Sequence, residues 1–143
     1  MARPDPFDLA RFVRAQEEGA TYERALGELR EGRKRSHWMW FVFPQLAGLG
    51  ASAMSQTYAI SSLAEARAYL AHPVLGARLR ACASELCQVR AASAEDVLGG
   101  VDALKLRSSM TLFARAAPEE RVFTQVLDRW FGGEADARTE EAL

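Results

Sequence analysis

Ser36-His37-Trp38-Met39-Trp40-Phe41-Val42-Phe43-Pro44 is the stretch on which the fold turns. Four large aromatic rings and a valine in so short a span would suit a buried strand by propensity. A strand must pair, however, and nothing else in the chain alternates apolar and polar residues with a period of two. The run therefore predicts a short buried helix, with Ser36 as its cap and Pro44 as its stop, inside an all-α protein.

Outward from that block every other element has helical spacing. Toward the N-terminus, Asp5-Pro6 opens a helix carrying Phe7, Leu9, Phe12, Val13 and Gln16 as far as Gly19, and Tyr22, Ala25, Leu26 and Leu29 mark a second one closed by Gly32. Toward the C-terminus, a loop with Gly48 and Gly50 leads to a short helix begun by Ser52. Ser62-Leu63-Ala64-Glu65 has the capping-box pattern for a helix to Ala71, and His72-Pro73 restarts the chain. Val74, Leu75, Leu79, Cys82, Leu86 and Val89 trace a long amphipathic helix, and Ser93 caps a short one that ends at Gly99-Gly100. Two apolar helices follow, over residues 102–115 and 118–131. The expectation is a compact single domain of about seven to eight helices over residues 1–131, followed by a polar tail, residues 132–143, that frays.

The 143 residues, 49% hydrophobic and 26% charged, match an ordinary folded domain. Eighteen basic against nineteen acidic residues leave a net charge of -1, so no global field draws the protein onto nucleic acid despite Arg30, Arg33, Lys34 and Arg35. No apolar run approaches the roughly 20 residues of a membrane span, and the first residues lack a signal-peptide pattern, which predicts a cytoplasmic protein with no membrane partner. Cys82 and Cys87 fit no common zinc or redox spacing and read as reduced thiols. His37 and His72 have no neighbouring ligand at metal spacing, so neither a metal nor another cofactor is expected. Oligomeric state leaves no mark in the sequence.

Two constellations carry chemistry. In the first, Lys34 can hold an anion, Trp38 or Trp40 can stack a ring, and His37 can donate or exchange a proton near neutral pH. The same residues also read as core, because indoles dominate cores and a histidine beside them is ordinarily a hydrogen-bonded structural residue. In the second, Asp102, Lys105 and Ser108 succeed one another by single turns of a helix, with Ser109 and Thr111 close by. An Asp/Lys pair of this kind is ordinarily a solvated ion pair, and the serines and threonine equally suit backbone bonding.

The blocks from Ser36 to Leu46, Gly48-Leu49-Gly50, Ser55, Tyr58, Leu70 to Gly76, and Asp102 to Phe113, in this order, resemble an uncharacterised bacterial family called domain of unknown function 1810. The resemblance covers residues 7–131 and implies a compact all-helical fold without an established activity. Some members carry the label calpastatin, yet this chain lacks the disordered composition of a calpain-inhibitor segment. At the family's polar motif positions stand Lys34, Ser36, His37, Gln45, Ser55, Tyr58, Asp102, Lys105, Ser108, Ser109 and Thr111. Together with Trp38 these are the candidate ligand-binding residues, with no catalytic role assigned to any. The expected ligand is a small anionic, ring-bearing molecule such as a nucleotide or ADP-ribose-like compound, bound or hydrolysed. The alternative is a non-enzymatic domain that docks a partner protein or a second copy of itself.

Overall fold

The computed structural model describes residues 4–143 and has the all-α architecture expected from the aromatic run. Among the described residues the helices are α1 (Ala10–Glu17), α2 (Thr21–Glu31), α3 (Met39–Val42), α4 (Ala53–Thr57), α5 (Leu63–Ala71), α6 (Leu75–Gln88), α7 (Ala94–Leu98), α8 (Gly100–Ala116), α9 (Arg121–Phe131) and α10 (Ala137–Ala142). Their number exceeds seven to eight in part because α10 lies in the stretch expected to fray. None of them is long and apolar enough to cross a membrane.

The aromatic run is one helical turn, with Trp38, Met39, Phe41, Val42 and Phe43 all buried. Ser36 does not cap it. Its N–H and hydroxyl are both taken by Glu28, and the cap position falls on Trp38 without a side-chain bond. Past Pro44 the chain makes a single parallel bridge, Leu46 to Ile60, in which Ile60 N donates to the Gln45 carbonyl at 2.8 Å and Ala47 N to that of Ile60 at 2.8 Å. Two such bonds fix the loop without building a sheet. Buried Gln16 donates to the Phe41 carbonyl at 2.7 Å and to the Tyr69 hydroxyl at 3.2 Å, so α1 and α5 jointly hold the end of α3.

A relay of rings runs through the core: Tyr58 to Phe12, Phe12 to Tyr69, Tyr69 to Phe113 and Phe113 to Phe123, with centroids 5.1–5.8 Å apart. These are favourable edge and tilted separations, and they tie α1, α5, α8 and α9 into one interior. Helix α8 is the hub, packed against α5, α7, α9 and α10. Its residues from Ser108 to Phe113 are all buried, the mark of a helix covered on every side. Ser108 and Thr111 tolerate this by donating to carbonyls one turn back, Leu104 at 3.2 Å and Arg107 at 2.8 Å.

The expectation of a frayed tail is corrected. Asp136 caps α10 by accepting from Thr139 N at 3.0 Å and Thr139 Oγ1 at 2.6 Å, and Asp136 N donates to Thr111 Oγ1 at 2.8 Å. Arg107 pairs with Glu134 and Arg115 with Glu140, while Thr139 is fully buried. A six-residue polar helix has no apolar periodicity to betray it; specific hydrogen bonds to α8 hold it.

Helix α6 begins where His72 Nδ1 accepts from Val74 N at 3.1 Å and Leu75 N at 3.2 Å. One turn on, Gly76 lies so close to the end of α5 that a Cβ there would sit 2.1 Å from the Leu70 carbonyl oxygen. Replacing it by alanine must push the two helices apart. Gly76→Ala is therefore expected to lower stability by about 1–3 kcal/mol, the usual magnitude for overpacking, read as a lower urea midpoint with unchanged slope.

Candidate functional site

Helix α2 carries an acid on its buried stripe, Glu28 between Ala25 and Leu29. Gly32, with φ 77°, turns the chain back so that residues 35–38 pass over that carboxylate. Glu28 Oε1 accepts from Arg35 N at 2.7 Å, Ser36 N at 3.0 Å and Trp38 Nε1 at 3.0 Å, and its Oε2 from the Ser36 hydroxyl at 2.6 Å. Burial pushes the carboxyl up, and the bonds from Ser36, Arg35 and Trp38 more than reverse this, leaving it lowered to about 2. Sequence reasoning missed Glu28. Its signal was an acid at an apolar position of an amphipathic helix.

The turn held by Glu28 presents Lys34 to α8. Lys34 N donates to the Val97 carbonyl at 2.7 Å, and its ammonium lies 3.0 Å from Asp102 Oδ2 and 5.2 Å from the centre of the Trp38 ring. Asp102 is in the first turn of α8, where the helix dipole favours an anion. Its other oxygen is 3.7 Å from Lys105 Nζ, which stands 5.2 Å from the centre of Trp40; the His37 ring lies 6.5 Å from the same indole. The two sequence blocks thus meet, with Asp102 as the link.

Next to this junction opens a cleft of about 320 Å³, walled by Gln45, Leu49 and Gly50 of the loop and by Val101, Leu104, Lys105 and Ser108 of α8. Asp136 and Arg138 close it from the C-terminal segment. Two buried polar atoms among the described residues lack a hydrogen-bond partner, Trp40 Nε1 and Ser109 Oγ. Trp40 is the indole beside Lys105, and Ser109 is one turn of α8 beyond that lysine.

Other candidates are placed apart. Trp38 is completely buried with its Nε1 committed, so it offers no face to a ligand. Ser36 belongs to the Glu28 knot. Thr111 serves α10, and Tyr58 packs between Phe12 and Phe41. Ser55 donates its N–H to the capping hydroxyl of Ser52 at 3.1 Å, with its side chain against Gly50. Larger hollows, about 610 Å³ beside the N-terminal segment and about 510 Å³ between α5 and the start of α9, contain none of the sequence-derived residues. Polar groups along them are structural, since His72 caps α6 and Arg80 is paired with Glu120. Cys82 and Cys87 are unpaired, and burial pushes the Cys82 thiol up to about 12. No three His, Cys, Asp or Glu side chains converge among the described residues.

A helical chain with this order of blocks, matched to a family over residues 6–143, settles the kinship. The chain belongs to the protein family of unknown function DUF1810. The match includes α10, which corrects the expectation that the resemblance ends at residue 131. This family member is similar to the conserved hypothetical protein Rv1873 from Mycobacterium tuberculosis, known from a crystal structure at 1.38 Å. The two are 53% identical, the alignment covers 97% of this chain and 98% of that one, and the TM-score is 0.94. No curated protein matches.

The Glu28 knot gives the site a pH signature. Because the folded carboxyl is lowered from 4.5 to about 2, its contribution is present above about pH 4.5 and is lost as pH falls toward 2. Glu28→Gln should cost on the order of 3 kcal/mol at pH 7. The gap between variant and wild type should close steadily in urea titrations from pH 4.5 down to 2.

Proposed function

We propose that this protein binds a small anionic molecule carrying a ring, in the cleft between the loop of residues 45–50 and α8. The observation that supports the reading is the convergence of Gln45, Lys105 and Ser108, drawn from two separate sequence blocks, on one open cleft. Lys105 belongs both to the cleft wall and to the Lys34–Asp102 pair, so the ammonium is held in place before a ligand arrives. Behind the cleft wall the half-buried Trp40 indole lies 5.2 Å from that ammonium, with the His37 ring 6.5 Å from the same indole. Apolar walls with a few convergent polar groups are the usual make-up of a ligand pocket, and about 320 Å³ is at the small end of the range. That size favours one ring with its anionic group over a dinucleotide. Nucleotides and ADP-ribose-like compounds are the class named by the sequence and the first to test; a reaction on them has no assigned catalytic group.

Thermal unfolding in the presence of nucleotides, ADP-ribose and simpler ring-bearing acids tests the reading. A ligand at 100 times its Kd adds about 2.7 kcal/mol to the native state, a rise of several degrees for a chain of this size. The rise should be present in wild type and absent from a folded Lys105→Ala variant. Equal rises in both, or none with any anionic compound, would remove the cleft as the site.

A second reading is supported by Val101 and Leu104, which are 70% and 64% exposed on the first turns of α8. Side chains of this kind side by side suit docking of a partner protein or a second copy. If self-association is the role, Val101→Ser with Leu104→Ser should shift the sedimentation coefficient from dimer to monomer. A monomeric wild type at high concentration eliminates that form of the reading.

A further inference from the structure

The cleft's charge is nearly balanced, and the balance limits what it can hold. Val101, Leu104, Lys105 and Ser108 fall at i, i+3, i+4 and i+7, so one face of α8 forms the wall. Asp102 is nearer to Lys34, at 3.0 Å, than to Lys105, at 3.7 Å, so Lys105 has only a shared, longer contact. Across the cleft, Asp136 is occupied in capping α10. Arg138 is exposed on α10 and has no ion-pair partner among the described residues. Among the residues that line the cleft, Lys105 and Arg138 against Asp136 leave a single positive charge in excess.

We propose that the cleft selects a small monoanion, a carboxylic acid bearing one apolar ring or short apolar chain, with Arg138 as the residue that determines this specificity. The inference rests on the reading of the cleft as a ligand site and narrows it. Arg138 presents the planar fork that matches a carboxylate, and Lys105 supplies a second donor from the opposite wall. Val101, Leu104 and Leu49 cover the apolar part, and the Gln45 amide, free of any side-chain hydrogen bond among the described residues, stands at the loop edge. A nucleoside diphosphate or triphosphate brings several negative charges toward a site with one positive charge in excess and with the Asp136 carboxylate on its wall, which penalises it electrostatically. Arg138 carries no local signal, because it lies in a stretch whose helix was not expected.

Isothermal titration of the whole protein with phenylacetate, phenylacetamide, AMP and ADP tests this. Phenylacetate should bind saturably, with the uncharged amide at least tenfold weaker and ADP weaker still. Arg138→Met should lose at least tenfold in phenylacetate affinity at an unchanged melting temperature. Arg138→Lys, which keeps the charge and removes the fork, should fall between the two and guards against a local effect of methionine on α10. Equal binding of acid and amide, or no change in either Arg138 variant, would overturn the proposal. AMP or ADP binding more tightly than phenylacetate would overturn it while leaving the anion-binding reading intact. No binding by any of the four would overturn the monoanion assignment, and with no thermal response to any anionic compound the wider reading falls as well.

Discussion

A carboxylate nearly out of water has to find donors for its oxygens, and Glu28 finds four of them within ten residues of itself. The consequence is geometric as much as energetic. Arg35 N, Ser36 N, the Ser36 hydroxyl and the Trp38 indole can reach one carboxylate together only if the chain after Gly32 turns tightly over α2. That turn fixes where α3 begins and carries Lys34 to Asp102. Were the knot undone, neither the one-turn aromatic helix nor the ion pair with α8 would have a fixed start. Charged acceptors bonded by several N–H and O–H groups are among the stronger polar anchors available to a domain of this size.

Helix α8 receives what the knot delivers. Its first turns meet the loop of residues 45–50 and the Lys34 ammonium, its middle is enclosed by α5 and α9, and its Thr111 hydroxyl receives the backbone of Asp136. One helix therefore performs two tasks along its length. The end near Asp102 and Lys105 keeps polar side chains at a cleft, while the portion from Ser108 to Phe113 is core. Serine and threonine suit that transition because their hydroxyls can be satisfied by the helix itself, as Ser108 and Thr111 are. Ser109 is the exception, with a buried hydroxyl lacking a partner one turn beyond Lys105. An unmet polar group of this kind is destabilising by about 1–3 kcal/mol, and its position behind Lys105 places that cost next to the cleft.

Kinship fixes the fold and leaves the chemistry open. Neither the DUF1810 family nor the close likeness to Rv1873 names an activity, so function has to be argued from the side chains themselves. Lys105 is the one residue that the sequence blocks, the Asp102 pair and the cleft wall share, and for that reason it anchors the functional reading. Arg138 extends the reading across to the C-terminal segment.

The sequence by itself determined the helical class and the positions of most helix starts and stops. Ser52, Ser62 and Ser93 cap the helices expected of them, and Gly32, Gly99 and Gly132 end α2, α7 and α9, because caps and stops are local and can be read from a few adjacent residues. Tertiary structure alone decided which members of the blocks reach a cavity. Trp38 and Trp40 are two residues apart and chemically alike, yet the first is sealed against Glu28 and the second lies beside Lys105. Ser36 reads as a helix cap and is instead a donor to an acid on another helix. Glu28 and Asp136 acquire their structural roles from partners 7–25 residues away, and α10 exists because of bonds to α8. Burial and long-range hydrogen bonding depend on how whole helices pack, and no window along the chain contains that information.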